Sequence, residues 1–196
     1  HSSIWCIVKD NQGTLWLGTY FGGVNYFNPE YEIYTRYSYS SNEKKGLSNP
    51  VVGRTIEDKD DNLWIGTEGG GLNYYNRRTR EFKWYRPQEG RNSISHNNVK
   101  ALYYDADKEI IWIGTHLGGL NKLDIRSGHF THYRMEEGNP ATLPSDIIRD
   151  IIPYKSLLIV ATQNGVCLFN PANGQCQQLF KDSKEGKSIK MIADVT

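Results

Sequence analysis

Short apolar runs alternate with clusters of turn-forming residues along the whole chain. In the second quarter of the sequence, four such runs lie at Val51–Glu57, Leu63–Thr67, Leu72–Tyr75 and Glu81–Tyr85. They are rich in β-branched and aromatic residues and are bounded by Gly, Asn, Asp or Pro, which is typical of β-strands. No stretch between them is long enough to predict a helix. Because such short connections permit only antiparallel neighbours, the pattern predicts an antiparallel meander.

This unit recurs along the chain. The tetrads Trp16–Thr19, Trp64–Thr67 and Trp112–Thr115 follow one another at intervals of 48 residues, and a degenerate copy, Ile159–Thr162, follows 47 residues later. Each tetrad is preceded by a strand-like run and followed by a glycine turn and a second apolar run. Self-similarity at a fixed period of this size indicates a repeat architecture. Four antiparallel strands per repeat are characteristic of β-propeller blades.

The sequence therefore predicts an all-β protein, a fragment of a β-propeller with four four-stranded antiparallel blades of about 47–48 residues. We place the blades at approximately residues 1–46, 47–93, 94–142 and 143–187, and name their strands A to D in chain order. Residues 188–196 resemble strand A of a further blade, which favours an open arc over a closed ring of four. Because an arc leaves unpaired strands at both ends, we expect self-association through these edges.

The residues that recur in every blade have structural roles in this arrangement. We expect the tetrad Trp to fill the wedge between blades, and the tetrad Gly to allow a bulge or a close backbone approach. The tetrad Thr should hydrogen-bond the following turn, where the glycines supply positive φ. Asp10 and Asp58 should stabilise the A–B hairpins by bonding their own backbone. Residues shared among blades are interpreted as scaffold.

The second repeat carries a family resemblance. Its motif comprises Leu47–Val52, Ile56–Asp58, Asn62–Thr67, Gly70–Asn73 and Phe82–Tyr85. This motif resembles the two-component regulator propeller repeat, which is found in periplasmic sensor regions of hybrid two-component systems in gut Bacteroidetes. The resemblance covers essentially all 196 residues, and three copies match closely. The fourth copy departs from the pattern, with Ile159, Ala161 and Cys167 at the Trp, Gly and Asn positions.

The resemblance implies a non-enzymatic sensor segment located in the periplasm. The parent chain would carry more blades, a membrane span, a histidine kinase and a response regulator outside this segment. The segment would bind, or help to bind, an oligosaccharide and relay the signal to the kinase. Its expected partners are thus an oligosaccharide ligand and the other domains of the parent sensor.

Composition narrows the range of partners. The chain has 23 basic and 22 acidic residues and a net charge of +1. It therefore lacks the excess of positive charge that would indicate binding to nucleic acid or to an anionic membrane. An aromatic content of 12% suits propeller packing and also stacking on sugars. No apolar stretch approaches the roughly 20 residues that span a bilayer. The chain has no targeting signal and is interpreted as a piece of a longer protein.

The three cysteines allow one disulfide. Cys6 is interpreted as a small buried hydrophobe on a strand A. Cys167 and Cys176 flank the C–D turn of the fourth blade and could form a bridge if the hairpin register brings them opposite. An oxidising periplasm would permit that bridge, and two free thiols are the alternative. The cysteine spacing matches no zinc site, so we predict no metal and no cofactor.

The sequence predicts no catalytic residue. It contains no nucleophile elbow, no phosphate-binding glycine loop and no paired His on a helix. Two alternatives to a sensor stay open. A carbohydrate-active propeller enzyme, a hydrolase or lyase, should show two convergent carboxylates or a His–carboxylate pair. A protein-interaction scaffold should show no concave polar pocket.

The candidate binding residues lie where the repeats differ. The D–A and B–C connections share one face of the meander, which is the usual ligand face of propellers by fold-level analogy. The B–C loop tips and the entrances of strands A change chemistry from blade to blade, and offer rings, cations, amides and a carboxylate for a sugar. The predicted ligand-binding residues are Tyr20, Phe21, Arg54, Glu68, His116, Arg149 and Gln163. The alternative interpretation is that these loops vary because nothing constrains them.

Overall fold

The computed structural model describes residues 3–28 and 33–179. Among these residues every regular element is a β-strand, except for one 3-10 turn at Glu43–Lys45. The strands form four four-stranded sheets in which each strand pairs with its neighbours in chain order. The predicted all-β class and the four antiparallel meanders are therefore confirmed. The predicted strand at residues 188–196 lies outside the described residues.

The chain divides into two compact units, residues 1–99 and 100–196. The first unit contains two sheets. Their strands are β1 (Ile4–Lys9), β2 (Leu15–Thr19), β3 (Gly23–Asn28) and β4 (Ile33–Tyr37), then β5 (Val52–Glu57), β6 (Leu63–Thr67), β7 (Gly71–Asn76) and β8 (Glu81–Tyr85). Each sheet is one blade, and β5 of the second blade packs against β1 and β2 of the first.

The second unit contains the other two sheets, and its first strand begins at the last residue of the first unit. Its strands are β9 (Val99–Asp105), β10 (Ile110–Thr115), β11 (Leu120–Asp124) and β12 (Phe130–Tyr133), then β13 (Ile148–Tyr154), β14 (Leu157–Thr162), β15 (Gly165–Phe169) and β16 (Cys176–Gln178). Strand β13 of the fourth blade packs against β10 of the third. Both units thus repeat one packing mode.

The tetrad glycine admits the first strand of the following blade. A Cβ atom built on Gly66 would lie 2.6 Å from Cγ1 of Val99, a contact too close to exist. A β-bulge lies on strand A directly opposite this glycine, between Val52 and Thr55. The structure therefore shows both the bulge and the close approach that were predicted for the tetrad glycine. The equivalent pairs are Gly18 with Val52 and Gly114 with Ile148.

The predicted roles of the tetrad Thr and of the glycine turn are confirmed. In each blade the Thr hydroxyl donates to the carbonyl oxygen of the last turn glycine at 2.8–2.9 Å. That glycine has positive φ in every blade, for example +80° at Gly71. The pairs are Thr19 with Gly23, Thr67 with Gly71, Thr115 with Gly119 and Thr162 with Gly165. The B–C loops therefore start from one fixed backbone geometry.

The tetrad tryptophans form the centre of the core. Trp16, Trp64 and Trp112 are 4%, 1% and 1% exposed. In the first unit Trp16 reaches Tyr75 of the second blade, with ring centroids 6.4 Å apart. In the second unit Trp112 packs edge-on against Phe169 of the fourth blade at 5.4 Å. The predicted packing of tetrad Trp between blades is confirmed for these two residues.

The first strand exposes apolar side chains that its counterparts bury. Ile4 and Ile7 are 52% and 62% exposed, whereas Val52, the counterpart of Ile4, is 0% exposed. We expect the chain to self-associate through this strand, because exposed apolar strands pair with other chains. In sedimentation velocity, Ile7→Lys should shift the wild-type oligomer toward monomer, and Tyr154→Lys, at another exposed site, should not. A wild type that stays monomeric at high concentration would contradict this expectation.

Candidate functional site

Three aromatic rings meet at the first B–C loop tip, where Tyr20 contacts both Phe21 and Trp5. Tyr20 stacks on Trp5 of β1, with centroids 5.0 Å apart and an interplanar angle of 21°. Phe21 packs edge-on against Tyr20 at 4.4 Å. The Tyr20 backbone N–H donates to the Ser3 carbonyl at 3.0 Å, which fixes the tip over the start of β1. The result is a partly exposed aromatic surface of the kind that stacks on sugar rings.

The second residue of these tips has an unusual backbone conformation. Phe21 has φ of 62° and Leu117, its counterpart in the third blade, has φ of 75°. Their side chains are 54% and 56% exposed. Bulky residues adopt positive φ rarely, and such strain concentrates at functional sites. Sequence reasoning missed this feature, although the alignment of both residues with Gly69 (φ 96°) offered a signal.

The second loop tip is tied down by its backbone. The Glu68 N–H donates to the Val51 carbonyl at 3.0 Å, and Glu68 forms an isolated bridge with Asn98. Arg54 lies half-buried on β5. Burial raises the pKa of the Cys6 thiol, and the positive charge of Arg54 opposes that rise. Arg54 therefore lies within electrostatic reach of β1 in the first blade.

In the second unit two predicted residues are in direct contact. Arg149 on β13 donates from Nη2 to Oε1 of Gln163 at the fourth loop tip. The Gln163 N–H donates to the Ile147 carbonyl at 2.9 Å, which holds the tip in place. Burial lowers the pKa of Lys100 on β9, and the positive charge of Arg149 lowers it further. This unit thus combines two neighbouring cations with an amide.

The third loop tip is held by a residue that sequence reasoning missed. His116 is half-buried directly after β10. Arg134 donates from Nη1 to the Leu117 carbonyl at 2.6 Å and pairs with Asp146 at 3.2 Å. The sequence did offer a signal for Arg134, because Tyr133-Arg134 repeats Tyr85-Arg86 at the end of the last strand of the second blade.

The seven predicted residues divide between the two units. Four lie in the first unit and three in the second. The structure joins Tyr20 to Phe21 and Arg149 to Gln163. Their cooperation in one ligand site stays a prediction. Within residues 3–28 and 33–179, no three His, Cys, Asp or Glu side chains are grouped as metal ligands are.

The two cysteines of the fourth blade are close but unbonded. The register pairs Cys176 with Phe169 and Cys167 with Gln178, so the two cysteines are diagonal rather than directly opposite. Their Sγ atoms are 2.9 Å apart, and both residues are buried free thiols. The hydrogen bond with Cys176, and then burial, raise the pKa of Cys167. The disulfide stays a prediction.

Mild oxidation should close this bridge, because the thiols need only a small approach to reach bonding distance. We expect the mass to fall by two hydrogens and the free energy of unfolding to rise by about 2–3 kcal/mol, as for a short closed loop. Intact mass spectrometry and urea unfolding would measure both. Cys176→Ala is the control and should show neither change. An oxidised wild type that keeps all three thiols would contradict the prediction.

Comparison with known proteins confirms the resemblance. Residues 1–21, 46–69 and 93–116 match the two-component regulator propeller model. These three segments are therefore similar to two-component regulator propeller repeats. It matches no curated protein sequence.

Solved structures give the same result. The extracellular domain assigned to the hybrid two-component system BT3049 of Bacteroides thetaiotaomicron is 26% identical, with a TM-score of 0.78 over 91% of this chain and 24% of that one. The extracellular domain of BT4673 from the same organism, assigned to a one-component system, is 25% identical, with a TM-score of 0.75 over 91% of this chain and 25% of that one. Both are extracellular regulator domains.

A third solved structure shares the fold alone. PorZ, a surface component of the type-IX secretion system of Porphyromonas gingivalis, is 20% identical, with a TM-score of 0.66 over 89% of this chain and 27% of that one. The chain spans about a quarter of the length of each of these three proteins. No helix in the part of the chain that the structure describes is long and apolar enough to cross a membrane.

Proposed function

We propose that this chain is a non-enzymatic part of the periplasmic sensor region of a hybrid two-component system. Its B–C loop face binds, or helps to bind, an oligosaccharide. The bound state is relayed to a histidine kinase elsewhere in the parent chain. The similarity to extracellular domains of two-component systems supports the sensor role, and the loop-tip chemistry supports the sugar.

The observation that carries the ligand class is the aromatic surface of the first blade. Trp5 and Tyr20 are stacked, and Phe21 stands at their edge with more than half of its side-chain surface exposed. Sugar rings bind such surfaces through their apolar C–H faces, while nearby polar groups bond their hydroxyls. Arg54 and Glu68 of the same unit offer a donor and an acceptor for that purpose. A micromolar complex, about −8 kcal/mol, lies within reach of such contacts.

Calorimetry on the complete extracellular region of the parent, with a panel of oligosaccharides, would test the site. For a sugar that the wild type binds, Tyr20→Ala should weaken the affinity at least about fivefold, since a stacked ring contributes on the order of 1 kcal/mol or more. Arg54→Ala and His116→Ala should each weaken it severalfold. Tyr154→Ala removes a similarly exposed ring at the far end of β13 and is the matched control.

The outcomes separate a binding site from a scaffold. Unchanged affinity in all three variants, for a sugar that the wild type binds, would place the site elsewhere in the parent. Signalling requires that the ligand bind two states of the sensor with different affinity. Tyr20→Ala should therefore also raise the sugar concentration needed to change autophosphorylation of the membrane-bound parent. A parent chain with no kinase activity would overturn the relay.

A further inference from the structure

A cavity of about 520 Å³ opens between the first and second blades, within the first unit. We call it the inter-blade cleft. Its walls come from the A–B hairpin and strands β2 to β4 of the first blade, and from β7 and the following turn of the second. These hairpins and turns lie at the end of the strands opposite to the B–C loops. The cleft is therefore distinct from the face that carries the B–C loop tips, which we call the loop-tip face.

Aromatic rings form the floor of the inter-blade cleft. Trp16 and Tyr37 are stacked, with centroids 6.1 Å apart and an interplanar angle of 11°. The hydroxyls of Tyr37 and Tyr75 are 2.6 Å apart and hydrogen-bonded. Burial raises the pKa of Tyr37, and the bond with Tyr75 raises it further. Because one hydroxyl donates to the other, one phenolic hydrogen is left to donate elsewhere.

Arg77 presents a buried donor at the inter-blade cleft. Its Nη2 donates to Asp10 at 2.7 Å and to Glu57 at 2.9 Å, and its guanidinium lies 5.1 Å from the Trp16 ring centroid. Its Nε is buried and has no hydrogen-bond partner among the residues that the structure describes. Buried donors are nearly always satisfied by protein, water or ligand. Because this Nε is buried, an acceptor atom of an occupant would complete its hydrogen bond after a small shift of the Arg77 side chain.

Arg80 adds a positive charge at the mouth of the cleft. The turn that carries it is fixed, because the Arg80 N–H donates to the Asn76 carbonyl at 2.8 Å and the Thr79 N–H donates to the Asn76 side chain at 2.9 Å. Arg80 has φ of 57° and lines the cleft, while its neighbour Arg78 does not. Asp10 and Glu57 are both engaged by Arg77. Neither carboxylate is therefore left unpaired, and Arg80 is the exposed charged residue that lines the cleft.

We propose that the inter-blade cleft is a second binding site, for a saccharide unit that carries a carboxylate. The half-buried rings of Tyr26 and Tyr37 contact the sugar face. Arg80 pairs with the carboxylate, whose two oxygens match the planar geometry of the guanidinium group. Arg77 Nε donates to an oxygen of the sugar. The volume accommodates one or two sugar rings. This proposal does not depend on binding at the loop-tip face.

Nuclear magnetic resonance on the 196-residue chain would test the cleft directly. The probe is D-galacturonate. The comparison ligands are D-galactose, which has the sugar ring without the carboxylate, and acetate, which has the carboxylate without the ring. Galacturonate should shift the side-chain Nε–H resonance of Arg77, and galactose and acetate should bind at least severalfold more weakly. Arg80→Gln should weaken galacturonate binding about tenfold, the effect of losing a charge-assisted hydrogen bond.

Matched variants keep the result interpretable. Arg78→Gln removes the same charge from the same turn and should leave galacturonate affinity within about twofold, since Arg78 does not line the cleft. Tyr20→Ala, at the loop-tip face, should have no effect on this titration. An Arg77 resonance that does not move would overturn the proposal. Equal binding of galactose or acetate, or equal losses in the two arginine variants, would overturn it as well.

Discussion

Replacing Trp64 with Ala should lower the free energy of unfolding by about 3–5 kcal/mol, the range for deleting a large aromatic from a core. Trp64 is 1% exposed, and its ring lies 4.7 Å from Tyr74 and 5.7 Å from Tyr85. Its Nε1–H donates to Asp58 at 2.9 Å. The substitution therefore removes both a large packed volume and a buried hydrogen bond.

Urea unfolding followed by circular dichroism would measure this loss. Trp5→Ala is the control, because Trp5 is 48% exposed and loses mainly its stack on Tyr20. We expect that control to cost about 1 kcal/mol or less. If the two variants were equally stable, Trp64 would not have the central packing role that its burial indicates.

The repeating parts of this fold were readable from the sequence. In the second blade the predicted run Leu63–Thr67 is the observed strand β6, and Glu81–Tyr85 is the observed strand β8. The other two strands differ from their predictions by one residue at their ends. Strand periodicity and glycine turns act locally and recur in each blade, so each copy supports the others.

The contacts between blades were not readable in the same way. Asp10 was correctly interpreted as a hairpin residue, since it accepts from the backbone N–H groups of Gln12 and Thr14. The sequence did not indicate that it also binds Arg77, which lies 67 positions away in the chain. Nothing in the turn Arg77–Arg80 distinguishes the arginine that reaches the neighbouring blade from those beside it. Which arginine reaches Asp10 depends on the distance between the A–B hairpin of the first blade and this turn of the second.

The candidate ligand site likewise combines features that the sequence predicted with features that it did not. The sequence located the loop tips, because they are the positions where the repeats differ. It did not show that Phe21 is held at positive φ, or that Arg149 bonds Gln163. Both features arise from how a tip folds back on the neighbouring strand, and the identity of a single residue does not encode that geometry. The inter-blade cleft was missed altogether, since its lining comes from residues interpreted as scaffold.

Asp10→Asn should destabilise the chain by about 2–4 kcal/mol at neutral pH, since it removes one partner of a buried ion pair. The Asp10 side chain is fully buried and accepts from Trp16 Nε1 at 2.7 Å and from Arg77 Nη2 at 2.7 Å. Burial alone would raise the pKa of Asp10. The hydrogen bonds from Trp16 and Thr14, with the charge of Arg77, outweigh burial and lower that pKa.

This lowered pKa fixes the sign of the pH dependence. The folded state holds the Asp10 proton less tightly than the unfolded state, whose pKa is about 3.9. Its stabilising contribution is therefore complete above about pH 4–5 and is lost as the pH falls through the folded value. The difference in unfolding free energy between wild type and Asp10→Asn should therefore stay constant from pH 7 to about pH 5 and shrink as the pH falls further toward pH 3.

Urea unfolding at several pH values would show this convergence. Asp60→Asn is the matched control, because Asp60 is an exposed carboxylate in the equivalent hairpin of the second blade. It should cost less than about 0.5 kcal/mol at every pH. A wild-type advantage over Asp10→Asn that stayed constant down to pH 3 would mean that the ionised carboxylate contributes nothing. The contacts of Asp10 would then stabilise the two blades through packing alone. The ion pair between Arg77 and Asp10 would contribute no net electrostatic energy.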